Sequence, residues 1–356
     1  MKKIIFLFYF ISSITIFAQQ PYYSDVDLSL TGIALRDALA TKIISTHTNN
    51  LSYNEAREAL KIIDLEPGQN TNVLLLYGFS SGICPANSSS DGDHRLRSKT
   101  NFGGGQSCEW NREHSYPKGL GTPNLGTSGP GADAHHLRAC DVGRNGLRAS
   151  KRFASGSGNS GVVGSNWYPG DEWKGDVARM MMYMYLRYGN RCLPTNVTAG
   201  STVAIDNNMV ALLLDWNASD PVSNYEMNRN NYLELTSNQY GQGNRNPFID
   251  NPFLATRIWG GPEADDIWNY YASTPDHVLN NYIQFYPNPV KDVLKIKTTD
   301  NVIMDEVSIF SIGGSLIKKK VNLLATETSF INLSEGLYFV KIATNKGVLL
   351  KKIIVE

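Results

Sequence analysis

Histidine and cysteine are scarce in this chain, with six and four copies in 356 residues. The cysteines include no C-x-x-C pair, which argues against a zinc knuckle, and they leave three disulfide pairings open; they are Cys84, Cys108, Cys140 and Cys192. The chain also lacks an H-E-x-x-H motif, which argues against a zinc peptidase. The formal net charge is zero, and beyond the first residues no apolar run reaches the ~18 residues of a membrane span.

The first twenty residues, MKKIIFLFYFISSITIFAQQ, have the pattern of a secretory signal peptide. Lys2 and Lys3 form its positive end, residues 4–17 its apolar run, and Ala18 the last residue before cleavage. We therefore expect residues 1–18 to be removed on export. An exported protein can carry disulfides.

The zero net charge hides a local excess of positive charge. Residues 95–152 contain ten Lys and Arg but only four acids, a net charge of +6, whereas residues 20–280 as a whole carry −5. A basic field of this kind suits a partner that bears phosphate, and the alternative is an ordinary solvated face. Arg95, Arg97 and Lys99 are expected to follow a nucleic-acid backbone and not to read bases.

Hydrophobic periodicity predicts an α+β fold whose larger part is mainly helical. The predicted elements are helices within 20–66, over 175–189 and around 209–216, a strand at 72–77, and a Gly-, Ser- and Asn-rich loop over 78–107. The Met and aromatic stripe of the second of these helices is interpreted as core. From about residue 284, short β-type runs separated by turns predict a small all-β sandwich. The expected domains are 1–18, 19–280 and 281–356.

The stretch NREHSYPKG, residues 111–119, places a carboxylate and an imidazole side by side. We predict two strands here, over 108–117 and 132–138, followed by a turn and a helix that begins near Asn145. Strands joined by a loop and packed on a helix would bring Glu113, His114 and Asn145 together, although neighbours on a strand point to opposite faces. The simpler alternatives are an idle surface histidine and an asparagine that only caps a helix.

These three residue types suit the hydrolysis of a phosphodiester. Glu113 and the side-chain carbonyl of Asn145 are oxygen ligands of the kind that a hard divalent cation prefers. A neutral His114 is suited to take a proton from an attacking water molecule. The cation would polarise the phosphate and stabilise the leaving 3′ oxygen. Only one carboxylate is obvious, which favours a single ion.

At these positions the chain resembles the bacterial endonuclease I family, periplasmic and secreted nucleases with a ββα-metal (His-Me finger) motif. The matching segments, spread over roughly residues 30–260, are REHSYPKG, DAHHL, RNGLRAS, GDVARMMMYMYLRYG, LLLDWNASDPVSNYEMNRNN, GNRNPFIDNP and RIWGG. The resemblance implies that His114 is the general base and that Glu113 and Asn145 bind the metal. It further implies that Arg148 contacts phosphate and that His135 supports the site.

The chain departs from the family pattern near Arg148. Residues 139–142, Ala-Cys-Asp-Val, stand where many members have Pro-x-Asp-Gly, and Leu147 and Ala149 replace more polar residues. The Glu–His–Asn set is intact. The histidines outside the matching segments are interpreted as surface residues, and these are His47, His94 and His277. Residues 243–252 are interpreted as scaffold.

The C-terminal segment resembles the sorting domain of the type IX secretion system of Bacteroidetes-type bacteria. The matching segments are YPNPVKDVLKI, SIGGSLI, LSEGLYFVKI and KKIIVE. The resemblance implies an address that the export machinery recognises, and it implies nothing about chemistry.

Together these observations predict a secreted, metal-dependent, non-specific endonuclease that cuts DNA, with RNA open as a second substrate. The expected cofactor is Mg²⁺, with Ca²⁺ and Mn²⁺ as alternatives. The expected partners are nucleic acid and the type IX secretion machinery, and the protein is expected to be a monomer. The rival interpretation is a catalytically idle surface protein that binds nucleic acid or adheres. The intact Glu–His–Asn set argues against it, because binding alone needs no base beside a metal.

Overall fold

The computed structural model describes residues 21–84, 92–105, 108–268, 279, 282–287, 289–299, 302–345 and 347–356. The predicted signal peptide and His277 lie outside these residues. The chain divides into two compact units between Ile267 and Trp268. Among the described residues, no helix has both the length and the apolar character that a membrane span requires.

The first unit mixes helices with short strands. Its helices are α1 (Gly32–Thr46), α2 (Tyr53–Ile63), α3 (Val142–Arg148), α4 (Lys174–Tyr188), α5 (Pro194–Val197), α6 (Ala211–Ser219), α7 (Asn224–Glu234), α8 (Pro247–Asp250) and α9 (Phe253–Trp259). Its strands are β1 (Asn72–Leu74), β2 (Ser80–Ile83), β3 (His94–Ser98), β4 (Trp110–His114), β5 (Leu137–Asp141), β6 (Gly161–Val163), β7 (Asn166–Tyr168), β8 (Thr202–Val203) and β9 (Asp206–Val210).

Helix α4 is buried along most of its length, as its Met and aromatic stripe predicts. Two charged side chains are buried with it. Asp176 lies 3.0 Å from the Arg138 guanidinium, and Arg179 lies 2.6 Å from the Glu226 carboxylate. Each charge has an opposite partner, which is the condition under which charged groups remain inside a protein.

The prediction of a loop over residues 78–107 is wrong for two parts of this segment. They form β2 and β3, which join β1 in a three-stranded sheet of order β1-β3-β2. Strand β3 pairs antiparallel with β1 and parallel with β2. A Cβ atom on Gly78 would lie 2.4 Å from the backbone oxygen of His94. The glycine therefore permits the close approach that the sheet needs, a use of glycine that composition alone does not separate from a loop.

The structure contains one disulfide among the described residues, so none of the three pairings that join all four cysteines is complete. Cys84 and Cys108 form a disulfide whose Cα atoms are 5.7 Å apart, and Cys140 and Cys192 are buried free thiols. The disulfide connects the residue after β2 to the segment just before β4.

Strands β4 and β5 form an antiparallel pair, with Glu113 opposite Arg138 and His114 opposite Leu137. The first strand is where the sequence predicts it, although it is shorter. The second strand, predicted at 132–138, is displaced toward the C-terminus. The residues before it form a 3₁₀ turn at Gly129–Ala132.

Helix α3 begins at Val142, three residues before the predicted start. The Asp141 side chain caps the helix, because its Oδ1 accepts a hydrogen bond from the Arg144 N–H at 2.8 Å. Asn145 therefore lies inside the helix, and the interpretation of Asn145 as a cap is wrong.

The second unit is all β, as predicted. Its strands are β10 (Ile283–Tyr286), β11 (Val293–Thr298), β12 (Met304–Ser311), β13 (Leu316–Ala325), β14 (Glu327–Ile331), β15 (Gly336–Thr344) and β16 (Gly347–Val355). They form two sheets, of orders β10-β11-β14 and β13-β12-β15-β16. Side chains of both sheets, among them Ile296 and Val307, share one buried apolar cluster. The alternating burial of β11 follows from the alternation of side chains along a strand.

Because this cluster is built from residues of the second unit alone, we predict that a shortened protein ending at Asn281 keeps the fold of the first unit. Independent parts of a protein contribute additively to stability, so the unfolding free energy of the first unit should change by about 0.5 kcal/mol or less. Urea unfolding followed by circular dichroism measures this. Aggregation of the shortened protein, or loss of its cooperative transition, would contradict the prediction.

Candidate active site

Arg148 joins helix α3 to strand β4. Its side chain is fully buried, and its guanidinium donates to the carbonyl oxygens of His114 at 3.1 Å and Ser115 at 2.9 Å. The same group lies 3.1 Å from Glu113 Oε1. The donors of a guanidinium have fixed directions, so these contacts set the position of the helix relative to three consecutive residues. The contact with phosphate predicted for Arg148 stays a prediction.

Glu113 is a buried carboxylate with two partners on one oxygen. Oε1 accepts a hydrogen bond from the Tyr77 hydroxyl at 3.0 Å and lies beside Arg148. Within the described part of the chain, no group donates to Oε2. Burial raises the pKa of Glu113 to about 7, against the opposing effects of Arg148 and Tyr77. Oε2 is therefore the oxygen with which Glu113 can bind a cation.

Asn145 is half-buried on helix α3 and faces strand β4. Its Nδ2 donates to Asn111 Oδ1 at 2.7 Å and to the Arg112 carbonyl oxygen at 3.3 Å. These two bonds fix the orientation of the amide. No described residue donates to its Oδ1, which leaves this oxygen as the second possible ligand.

His114 is anchored through one ring nitrogen. Its Nε2 donates to the Gly131 carbonyl oxygen at 3.0 Å, which assigns the lone pair to Nδ1. The ring stacks on Tyr53 with centroids 5.6 Å apart. Burial, with a smaller contribution from His136, lowers the pKa of His114 to about 3. The imidazole is thus neutral at pH 7, with Nδ1 as its proton acceptor.

The two histidines of DAHHL have different surroundings. His135 donates from Nε2 to the Asn244 carbonyl oxygen at 3.2 Å and packs against Tyr183. His136 donates to the Pro130 carbonyl oxygen at 2.7 Å, and its ring centroid is 5.7 Å from that of His114. His136 is therefore the neighbour of the candidate base, and the support predicted for His135 stays a prediction.

Asp133 fixes the chain just before these histidines. Its Oδ2 accepts hydrogen bonds from the hydroxyls of Tyr183 at 2.9 Å and Tyr188 at 2.8 Å, and its Oδ1 accepts one from Gln242 at 3.0 Å. His47, interpreted from the sequence as a surface residue, is buried and lies 3.9 Å from the same carboxylate. The surface interpretation of His47 is wrong.

Much of the predicted basic field is inside the protein. Arg97, Arg138 and Arg144 are buried and form ion pairs with Asp141, Asp176 and Asp93, respectively. The prediction that Arg97 follows a nucleic-acid backbone is therefore wrong, and Arg95 forms an ion pair with Glu172. The cations of this region that keep contact with solvent are Arg95, Lys99, Arg112, Lys118, Lys151 and Arg152.

Sequence reasoning missed Tyr77 and Tyr53, which contact Glu113 and His114. Neither lies in a segment that suggests chemistry, and the hydrogen bond from Tyr77 spans 36 residues. Residues 243–252 supply buried polar groups, among them Asn246, which donates to the Arg179 carbonyl oxygen at 3.0 Å. This agrees with the scaffold role expected for that segment.

The residues present fit a cation bound by few protein ligands. Among the described residues, no group of three or more His, Cys, Asp or Glu is placed to hold a metal ion. Glu113 Oε2 and Asn145 Oδ1 lie on the same strand–helix unit, and neither oxygen accepts a hydrogen bond from a described residue. Hard divalent cations accept such oxygens together with water and phosphate oxygens.

Comparisons with known proteins find relatives of both parts of the chain. The family model described as Endonuclease I matches residues 31–253, and that of the secretion system C-terminal sorting domain matches residues 284–356. An "Extracellular ribonuclease" of Bacillus amyloliquefaciens is 40% identical over 251 residues, which are 67% of this chain and 78% of that protein. Its counterpart in Bacillus subtilis (strain 168) is 41% identical over 249 residues, with the same shares covered.

The buried histidines make a prediction about acid stability. Burial lowers the pKa of both His135 and His136 from 6.5 to about 4, so below pH 6.5 the unfolded chain binds protons that the folded chain does not. Stability is therefore lost as the pH falls from 6.5 toward 4. By pH 5 each histidine should lower the free energy of unfolding by on the order of 2 kcal/mol.

Urea unfolding at pH 7 and pH 5 tests this prediction in the native protein and in His136→Gln. Glu113, with its raised pKa, works in the opposite direction in both proteins, so their difference isolates the histidine. The variant should lose less stability between the two pH values than the native protein. An equal loss would show that His136 titrates normally in the folded state.

Proposed function

The chain belongs to the endonuclease I family, and from this premise we propose that Glu113, His114 and Asn145 hydrolyse phosphodiester bonds of DNA and RNA with one divalent cation. The observation that carries the proposal is that one strand–helix unit presents two oxygens and a neutral imidazole nitrogen, none with a donor among the described residues. Strands β4 and β5 with helix α3 would then form a ββα-metal motif.

His114 acts as the general base. Its Nδ1 accepts a proton from water as the water oxygen forms a bond to phosphorus. The P–O3′ bond breaks with its electron pair going to the 3′ oxygen, which takes a proton from solvent to become a hydroxyl. The hydrogen bond from Nε2 to Gly131 at 3.0 Å keeps the ring in the tautomer that this step needs. The lowered pKa keeps the base unprotonated at neutral pH.

Glu113 Oε2 and Asn145 Oδ1 would bind the cation, for which Mg²⁺ is our first choice and Ca²⁺ and Mn²⁺ are alternatives. A divalent cation at this place supplies charge stabilisation for the phosphate and the leaving oxygen. A positive charge beside Glu113 would also offset the burial that raises the pKa of this carboxyl to about 7.

Arg112 is the side chain that we assign to substrate phosphate. Its guanidinium lies 3.5 Å from the centroid of Tyr53, the ring that stacks on His114. No described carboxylate forms an ion pair with it. Exposed Lys118 adds a second cation near His114. Arg148 is a positioning residue in this proposal, because its guanidinium is buried against protein partners. Arg112 also donates to the Tyr53 carbonyl oxygen, but it keeps contact with solvent.

Attack by water explains why both nucleic acids should be substrates. The step needs no ribose 2′-hydroxyl, so DNA is as reactive in principle as RNA, and contacts with phosphate carry no sequence information. The relatives named as ribonucleases favour RNA as one substrate. A catalytically idle binding protein has no use for a neutral base beside two cation ligands, which argues against this rival.

The protein is a secreted or cell-surface nuclease, and we propose three parts for it. Residues 1–18 would be the signal peptide, 19–280 the nuclease domain, and 281–356 the domain that the type IX secretion machinery recognises. We further propose that the nuclease acts as a monomer, because one strand–helix unit contains the whole candidate site.

The proposal is tested by incubating purified residues 19–280 with supercoiled plasmid or with single-stranded RNA. Each reaction is run with and without EDTA. We expect both substrates to be cut and EDTA to stop both reactions. An RNA oligonucleotide with a single 2′-deoxy position should still be cut there. Cleavage that persists in EDTA, or that requires the 2′-hydroxyl, would contradict the mechanism.

Replacement of His114 by alanine should remove nearly all activity. Loss of a general base typically lowers the rate ~10² to 10⁴-fold, while binding of uncut DNA should be retained because His114 makes no phosphate contact in the proposal. Activity within about threefold of the native protein would remove His114 from the mechanism.

Substitution of either proposed ligand should increase the Mg²⁺ concentration that the enzyme needs. Glu113→Gln and Asn145→Ala should each raise the Mg²⁺ concentration that gives half-maximal activity, because each removes one oxygen ligand. Titration of activity with Mg²⁺ measures this. A lower rate with an unchanged Mg²⁺ midpoint in both ligand variants would show that these residues do not bind the cation.

A further inference from the structure

Tyr77 is a buried tyrosine that points its hydroxyl at the candidate site. The side chain has no exposed surface, and its hydroxyl donates to Glu113 Oε1 at 3.0 Å. Its backbone φ is 72°, in the left-handed region that a bulky residue rarely adopts. Such a conformation persists only where the surrounding structure imposes it.

The neighbours of Tyr77 impose this conformation from several sides. The Leu76 N–H donates to the Ala139 carbonyl oxygen of β5 at 2.8 Å, and the Gly78 N–H donates to that of Leu75 at 3.0 Å. The Tyr77 ring makes an edge contact with Trp167 at 5.4 Å between centroids. The backbone and ring of Tyr77 are therefore restrained, and its hydroxyl has little freedom to move away from Glu113.

The backbone of Tyr77 also binds helix α3. Its carbonyl oxygen accepts hydrogen bonds from Arg144 Nε at 3.1 Å and Ser160 Oγ at 2.5 Å. Arg144 precedes Asn145 on the same helix. One residue thus contacts Glu113 through its side chain and, through its backbone, the helix that carries Asn145.

We propose that Tyr77 is a positioning residue that orients the Glu113 carboxylate so that Oε2 faces the cation. This inference rests on the proposed function, in which Glu113 is a ligand. With Tyr77 and Arg148 both on Oε1, rotation of the carboxylate would break two contacts. Without the hydroxyl, Arg148 alone would restrain the carboxylate, and it is shared with two carbonyl oxygens.

Tyr77→Phe tests the inference, because it removes the hydroxyl and keeps the ring contact with Trp167. Loss of a partner that orients a metal ligand typically weakens metal affinity ~10- to 100-fold. We expect a weakening of about tenfold for Mn²⁺ binding, measured by electron paramagnetic resonance without nucleic acid. Saturating Mn²⁺ should recover much of the lost rate, because the substitution acts through the metal ligand and leaves His114 in place.

Tyr23→Phe is the matched control. Tyr23 is also buried, and its hydroxyl donates to a buried carboxylate, that of Asp250, at 2.6 Å. If loss of a buried hydrogen bond acted only through stability, both variants would lower the urea midpoint and neither would change Mn²⁺ affinity. The inference requires that affinity falls in Tyr77→Phe alone.

A second comparison uses Glu113→Gln as the background. There, Tyr77→Phe should produce no further loss of Mn²⁺ affinity, because the ligand that it orients has already been replaced. Unchanged Mn²⁺ affinity in folded Tyr77→Phe, or an equal loss in both backgrounds, would overturn the inference. A native protein that neither binds Mn²⁺ nor needs a cation would instead contradict the proposed function, so the two failures are distinguishable.

Discussion

The buried guanidinium of Arg148 is the interaction on which the candidate site depends. It donates to the carbonyl oxygens of His114 and Ser115 and lies 3.1 Å from Glu113 Oε1. One side chain of α3 therefore fixes three consecutive residues at the end of β4. Removing one partner of a buried ion pair typically costs about 3–5 kcal/mol. Asn145, one turn earlier on the helix, donates to Asn111 and Arg112 of the same strand, so the contact of Arg148 and the bonds of Asn145 hold the helix against β4 together.

Burial shifts the pKa values of the neighbouring acid and base in opposite directions. It raises the pKa of Glu113 to about 7 and lowers that of His114 to about 3, because the charged form of each group loses hydration. The imidazole is consequently a neutral proton acceptor at physiological pH. A cation beside Glu113 would stabilise the ionised carboxylate strongly, because Coulomb attraction is stronger where water is scarce. Burial thus keeps His114 neutral and makes the charge of Glu113 dependent on a nearby positive charge.

The sequence predicted those features that depend on local pattern. The apolar stripe of α4, the β-type runs of the tail and the strand that carries Glu113 all follow from spacing along the chain. The second strand was misplaced because Asp133, just before it, is fixed by Tyr183 and Gln242, at least 50 residues away in sequence. Tyr77 was missed for the same reason. Spacing along the chain contains no information about partners at such separations.

The adjacency of Glu113 and His114 raises a geometric question about a shared site. Neighbours on a strand point to opposite sides, and these two have separate partners. Glu113 contacts Tyr77 and Arg148, whereas His114 binds Gly131 and stacks on Tyr53. The two residues are joined by their backbone, and Arg148 donates a hydrogen bond to it at the His114 carbonyl oxygen. Because Arg148 fixes that backbone, partners from different parts of the chain can hold the Glu113 carboxylate and the His114 imidazole on one strand without direct contact between the two.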